Sequence, residues 1–227
     1  MTDPMRLVIF DVDGTLVDSQ GAIVAAMTAS FEAIGLGVPE RSETLSIVGL
    51  SLDHAIARLA PEQTAQTQAR LVNGYKEAYH AHRLANGAAE ESPLYPGARE
   101  MIAQLSKRPD LLLGIATGKS QRGLTALLDA HDLLRVFVTR QNADFHPSKP
   151  HPSMITTAMA KAGVGPAQTV MIGDTSYDME MARAAKVPGI AVSWGYHGVP
   201  QLQLADLVVD AFDELPGALD SIWKVSA

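Results

Sequence analysis

The feature that most constrains this chain is an alternation of short, bounded apolar runs with helical stretches, broken once by a long helical interruption. The runs fall at residues 7–10, 111–116, 136–139, 169–172, 190–192 and 207–209 and are rich in Val, Ile and Leu. Runs this short and this apolar read as strands buried on both faces. Helical stretches lie between them at 98–107, 121–130, 153–162 and 179–185. Strand and helix taken in turn predict βαβ units, hence an α/β fold with a Rossmann-like parallel sheet covered on both sides. In such sheets ligands bind outside the carboxyl ends of the strands, so chemistry is to be sought there.

The interruption runs from about Asp18 to Asn86. A helix is expected over 21–34, where Ile23, Val24, Met27, Phe31 and Ile34 recur at three-to-four spacing. A second is expected over 52–59, with Ser51 as N-cap and Asp53 in its first turn. Pro61 opens a third toward His82, with Ala65, Ala69, Val72, Tyr75 and Tyr79 on one stripe. Asn86-Gly87, Pro93, Pro96 and Gly97 mark the return as turn formers. The division expected is a core of residues 1–17 and 91–227 with an inserted α-helical subdomain at 18–90.

Composition narrows the function classes. With 18 Lys and Arg against 25 Asp and Glu among 227 residues, the formal charge is 18 − 25 = −7. That balance lacks the cationic footprint of a nucleic-acid or anionic-membrane binder. The absence of cysteine excludes disulfides, thiolate metal sites and cysteine nucleophiles. No signal peptide or membrane span is read, so a soluble cytoplasmic protein is expected; oligomeric state is not legible.

Four segments carry chemistry-bearing residues, and each has a plainer reading. Asp11-Val12-Asp13-Gly14-Thr15 directly follows the first run, where Asp and Gly also suit an ordinary turn. Two carboxylates at the end of a buried strand repel unless a cation or a shared proton offsets them, and a hard cation such as Mg2+ takes oxygen ligands. Gly173-Asp174-Thr175-Ser176-Tyr177-Asp178 follows the fourth run; Asp, Thr and Ser there are N-cap residues, or else Asp174 faces the same cleft as Asp11. Acids converging at one sheet edge predict a metal. Thr117-Gly118-Lys119-Ser120 follows the second run and either caps a helix or offers a hydroxyl and free N–H groups to an anion. Lys149, braced by Pro147, Pro150 and Pro152, is either a solvated loop lysine or a positioned ammonium.

Taken in order, Asp-x-Asp-Gly-Thr, then Thr, then Lys, then Gly-Asp-x-x-x-Asp, the pattern resembles the haloacid dehalogenase superfamily of phosphohydrolases across essentially the whole chain. The resemblance implies a Rossmann-like core under an α-helical cap. It implies Asp11 as nucleophile, forming an aspartyl phosphate, and Asp13 as general acid and base. Thr117, Gly118 and Lys149 would hold the phosphate. Mg2+ would lie on Asp11, the Asp13 backbone carbonyl and Asp174, with Asp178 in support. The superfamily's dehalogenases lack an acid at the position of Asp13, since a halide leaving group needs no proton, so phosphoryl transfer is expected. Val12 stands where Phe or Met is common, a matter of packing. Gly49, Ser51 and His54, in the segment 47–54, are candidates for leaving-group specificity, or simply a helix start with a surface histidine. The loop Trp194-Gly195-Tyr196-His197-Gly198 is expected to pack near the cleft, with no independent support for a catalytic His197.

The reading that follows is an Mg2+-dependent phosphatase of small phosphorylated metabolites, similar to phosphoglycolate phosphatases. A sugar-phosphate mutase like β-phosphoglucomutase is the near alternative, disfavoured because 46–53 contains no Arg or Lys for a second phosphate. A P-loop nucleotide hydrolase is a remoter one: 114–120 nearly spells the phosphate-loop pattern, but its first glycine would stand where Leu113 is. On that comparison Lys119→Ala is expected to abolish a P-loop enzyme and to spare a superfamily phosphatase. A non-catalytic binding protein would be expected to lack Asp11, Asp13, Lys149 or Asp174, and all are present.

Overall fold

The computed structural model describes residues 4–225. Its centre is a six-stranded sheet, every strand parallel to its neighbours, in the order β3-β2-β1-β4-β5-β6. The strands are β1 (Arg6–Phe10), β2 (Leu111–Thr117), β3 (Thr139–Asn142), β4 (Thr169–Gly173), β5 (Gly189–Val192) and β6 (Leu207–Val209). Successive side chains of a strand point to opposite faces, so a strand covered on both sides must be apolar at every position. β1 does this: Val8 and Phe10 enter one hydrophobic cluster with Leu113, Ile115, Val170 and Ile172, while Leu7 and Ile9 enter another with Met154, Met171 and Met181.

Helices α6 (Ala98–Leu105), α7 (Gln121–Ala130), α8 (Ser153–Ala162), α9 (Ser176–Ala184) and α10 (Leu215–Val225) belong to this core. Between β1 and α6 lie α1 (Gln20–Glu32), α2 (Arg41–Ser46), α3 (Leu52–Leu59), α4 (Ala65–Asn86) and α5 (Ala88–Glu91), and no strand. Met27, Phe31, Ile47, Ile56 and Leu71 give these helices a separate apolar cluster. Among the described residues no helix is long and apolar enough to cross a membrane.

Three expectations need correction. The third strand is Thr139–Asn142, not 136–139. Phe137 plugs the core from the preceding loop, while the strand itself, paired on one side to Gly114–Thr117 of β2, is polar yet buried at Thr139, Gln141 and Asn142, whose side chains are hydrogen-bonded. α4 starts at Ala65 with Thr64 as its cap, the Thr64 side chain accepting from the Thr67 N–H, so Pro61 stands in the preceding turn. Its buried residue is Leu71, whereas Ala65 and Ala69 are exposed. α9 starts three residues before 179, because Thr175 and Asp178 form a reciprocal capping box.

Candidate active site

Every segment singled out from the sequence except His54 reaches one cleft or its floor. Asp11 leaves the end of β1, its N–H bonded to the Ile172 carbonyl of β4 at 2.9 Å. Asp174 leaves the end of β4 beside it, and its carboxylate accepts from the Thr15 hydroxyl at 2.9 Å and from the Tyr196 N–H at 2.8 Å. Gly14, at φ 84°, and Gly195 pack against that carboxylate so closely that a Cβ on either would collide with it. Lys149, fully buried, places Nζ 2.9 Å from Asp11 Oδ1 and donates to Asp178 Oδ1 at 2.6 Å. Asp178 is itself held by Thr175, whose N–H and hydroxyl both donate to Oδ2, at 3.1 and 2.6 Å.

Asp11, Asp174 and Asp178 offer carboxylate oxygens within 4.8 Å of one another. Both Asp11 oxygens are buried; Oδ1 meets the Lys149 ammonium as an ion pair, and Oδ2 has no partner. Four carboxylates (Asp11, Asp13, Asp174, Asp178) face two ammoniums (Lys119, Lys149), a formal balance of 2 − 4 = −2. Burial drives the Asp11 carboxyl up to about 7; Lys149 pulls it down, and Asp178 and Asp13 push it back. Burial, then repulsion from Asp178 and Asp11, holds Asp174 well above the ordinary carboxylate range. Burial alone would lower Lys149, but Asp11 and Asp178 outweigh it and hold it above its ordinary value. An unpartnered carboxylate oxygen within a converging acid cluster, together with an uncompensated negative charge, is a donor set that suits a small divalent cation, and these residues fit Mg2+.

Asp13 faces the other way. Its carboxylate accepts both oxygens' worth of hydrogen bonds from Lys119 Nζ, at 2.6 and 2.9 Å, and a further one from the Ser19 hydroxyl. It is therefore outside the converging acid cluster, which contains Asp178 in its place. Lys119, expected to be dispensable to a superfamily phosphatase, is thus bonded to the carboxylate expected to act as acid and base. Burial would lower the Lys119 ammonium, but Asp13 outweighs it and the pKa is raised. Sequence gave no sign of a contact between residues 106 positions apart.

Thr117 is buried on the cleft floor, its hydroxyl accepting from the Lys119 N–H at 3.3 Å. The helix behind is capped by Ser120, which accepts from the Gly123 N–H at 3.2 Å. Gly118 is required by close approach: a Cβ there would lie 2.5 Å from the Leu50 carbonyl oxygen and 2.6 Å from that of Gly49. The segment carrying Gly49 and Ser51 thus rests on the loop after β2, and the Ser51 N–H also donates to Ser148 Oγ at 2.9 Å. Gly49 and Ser51 line the cleft with Asp11; His54 lines a neighbouring one with Lys149 and Arg58, its Nδ1 2.9 Å from Ser51 Oγ.

The loop after β5 does more than pack. Besides the Tyr196 N–H on Asp174, Tyr196 Oη accepts from the Ser19 N–H at 3.0 Å. His197 Nδ1 accepts from the Ser176 N–H at 3.1 Å, which leaves its Nε2–H to donate to the Ser46 carbonyl at 3.0 Å. The cleft holds about 380 Å³, with Ile23, Met27, Ile47, Val48, Tyr75 and Tyr79 among its apolar walls. Lys76, Arg83, Lys119 and Arg122 also line it. The lack of basic residues in 46–53 is therefore no argument against a second anion, because α4 and α7 supply them.

The haloacid dehalogenase-like hydrolase family matches residues 8–192, a span that includes Asp11, Asp13, Lys149, Asp174 and Asp178. The chain belongs to this family. It is 34% identical over 97% of its length to the "Probable phosphatase IndB" of Dickeya dadantii, covering 96% of that protein. To a phosphoglycolate phosphatase of Agrobacterium fabrum it is 32% identical, over 94% of this chain and 91% of the relative. A β-phosphoglucomutase structure from Clostridium difficile, 17% identical, superposes with a TM-score of 0.82 over 97% of this chain and 98% of that one, a likeness of fold alone.

Proposed function

We propose that this family member is a Mg2+-dependent phosphatase of small phosphomonoesters, acting through an aspartyl phosphate on Asp11 and similar in reaction to phosphoglycolate phosphatases. The observation that carries the reading is the buried Asp11 carboxylate, partnered only by the Lys149 ammonium at Oδ1 and facing a cleft beside Asp174 and Asp178. Covalent catalysis by a carboxylate divides one difficult displacement into two easier ones. The named phosphatases among the relatives support a phosphoric monoester hydrolase.

Asp11 attacks phosphorus and expels the leaving oxygen, forming the mixed anhydride; Asp13 gives that oxygen a proton, then takes one from the water that hydrolyses the anhydride. Thr117 and the Gly118 N–H hold phosphoryl oxygens, and Lys149 offsets charge on the phosphoryl group while Asp178 positions it. Asp11, the Asp13 backbone carbonyl and Asp174 would hold Mg2+, with Asp178 close at hand. When bound, the ion supplies charge neutralisation that lets an anionic carboxylate approach an anionic phosphate. The helices of 18–90 act as a cap over the cleft, with Gly49, Ser51 and His54 as candidates for leaving-group discrimination. A cytoplasmic setting and no nucleic-acid partner suit the net charge of −7.

The test is a phosphate-release screen over phosphorylated metabolites, 2-phosphoglycolate included, with Mg2+ and with Asp11→Asn as the blank. Release that survives the substitution would refute the reading. A mutase reading is kept open by the basic residues around the cleft; it requires isomerisation of a hexose phosphate without net phosphate release.

A further inference from the structure

We propose that His80 and Arg83 of α4, with Arg122 of α7, form a subsite for a second anionic group at the far end of the substrate. The inference rests on the phosphatase reading of Asp11 and names the substrate class. Arg122 Nη2 lies 2.7 Å from His80 Nε2, and Arg83 Nη2 lies 3.2 Å from His80 Nδ1. Both guanidinium groups are donors only, and a neutral imidazole accepts at one nitrogen only. One of the two contacts therefore sets donor against donor. Among the described residues neither guanidinium has an ion-pair partner. The acids lining the same cleft do not answer them: Asp144 accepts from the Gln121 N–H at 2.8 Å, and Asp53 lies on α3. Arg122 is exposed and all three residues are open to solvent, so an anion in the cleft can reach the cluster.

The cluster also lies in line with the chemistry. Lys119 Nζ touches Asp13 and, at 3.2 Å, Tyr79 Oη. His80 follows Tyr79, and Arg83 stands one helical turn on, about 5–6 Å along the same face. A leaving group whose oxygen receives its proton from Asp13 would run past Lys119 and Tyr79 before meeting the cluster. The substrate class is a phosphomonoester with a carboxylate or second phosphate at the end away from the ester. Forked donors on Arg83 and Arg122 suit either group.

Two linear phosphomonoesters that differ only at the distal carbon test this: 6-phosphogluconate, ending in a carboxylate, and glucitol 6-phosphate, ending in an alcohol. With Mg2+, the expected KM for glucitol 6-phosphate is at least about tenfold the KM for 6-phosphogluconate, the value of one charge-assisted contact. Arg83→Ala with Arg122→Ala is expected to bring that ratio to about one, Arg122→Lys to keep most of it, and Arg122→Glu to invert it. A wild-type ratio of one would overturn the subsite. So would a ratio unchanged by the double substitution. If the wild type releases no phosphate from p-nitrophenyl phosphate with Mg2+, the phosphatase reading itself fails and takes the subsite with it.

Discussion

Lys119 donates to both carboxylate oxygens of Asp13, at 2.6 and 2.9 Å, from the loop that follows a different strand. The pair fixes the position of the Asp13 carboxylate at the edge of the cleft that Lys119 also lines. Lys119→Met is expected to lower kcat/KM about tenfold to a hundredfold, the range for losing a hydrogen bond to a charged group. Steady-state phosphate release measures it.

Charge in the acid cluster sets a pH dependence. The folded-state pKa of Asp11 is raised, to about 7 from an ordinary 3.8, so stability is full below the ordinary value and is lost as pH rises toward about 7. Metal-free protein is expected to melt at progressively lower temperature across that window, and Asp11→Asn to flatten the decline. Melting scans in a chelator check this.

Ligation of a cation requires the ionised carboxylates, so binding releases protons. The upward shift in melting temperature on adding Mg2+ is expected to be larger at about pH 8 than at about pH 5.5. Asp174→Asn is expected to remove most of the shift at both.

Lys149 is the buried counter-ion of Asp11 and Asp178. Its replacement by Met leaves two buried carboxylates without their shared cation, and a loss of about 3–5 kcal/mol is expected from urea unfolding of the metal-free protein. Mg2+ is expected to restore part of that stability and none of the activity.

Gly118→Ala sets a methyl against the Gly49 and Leu50 carbonyls. Overpacking of this kind costs about 1–3 kcal/mol, and here the strain displaces the segment that bears Gly49 and Ser51. A lower melting temperature together with a raised KM is expected; unchanged values for both would show that the segment yields freely.

The core was legible where burial on both faces forces an apolar run that stops at an acid. Leu7 to Phe10 followed by Asp11, and Val170 to Ile172 followed by Gly173 and Asp174, are of this kind. β3 is not legible because Thr139–Asn142 is polar, its buried Thr139, Gln141 and Asn142 being satisfied by side-chain hydrogen bonds rather than apolar contact. α10 went unread although Leu215, Leu219, Ile222 and Trp223 are buried at helical spacing, a signal that was present. The site's acids could be named from local sequence, but their partners could not. The Lys119–Asp13 pair, the Tyr196 N–H on Asp174 and the Arg–His cluster all join segments that only the tertiary fold brings together.

The most direct measurement is anomalous diffraction from crystals soaked in Mn2+, which takes the oxygen ligands of Mg2+. The expected result is a single strong peak in contact with the Asp11 and Asp174 carboxylates, lost in Asp174→Asn. Crystals that take up Mn2+ elsewhere while this position stays empty would contradict the assignment of the cleft as a metal-assisted phosphoryl-transfer site.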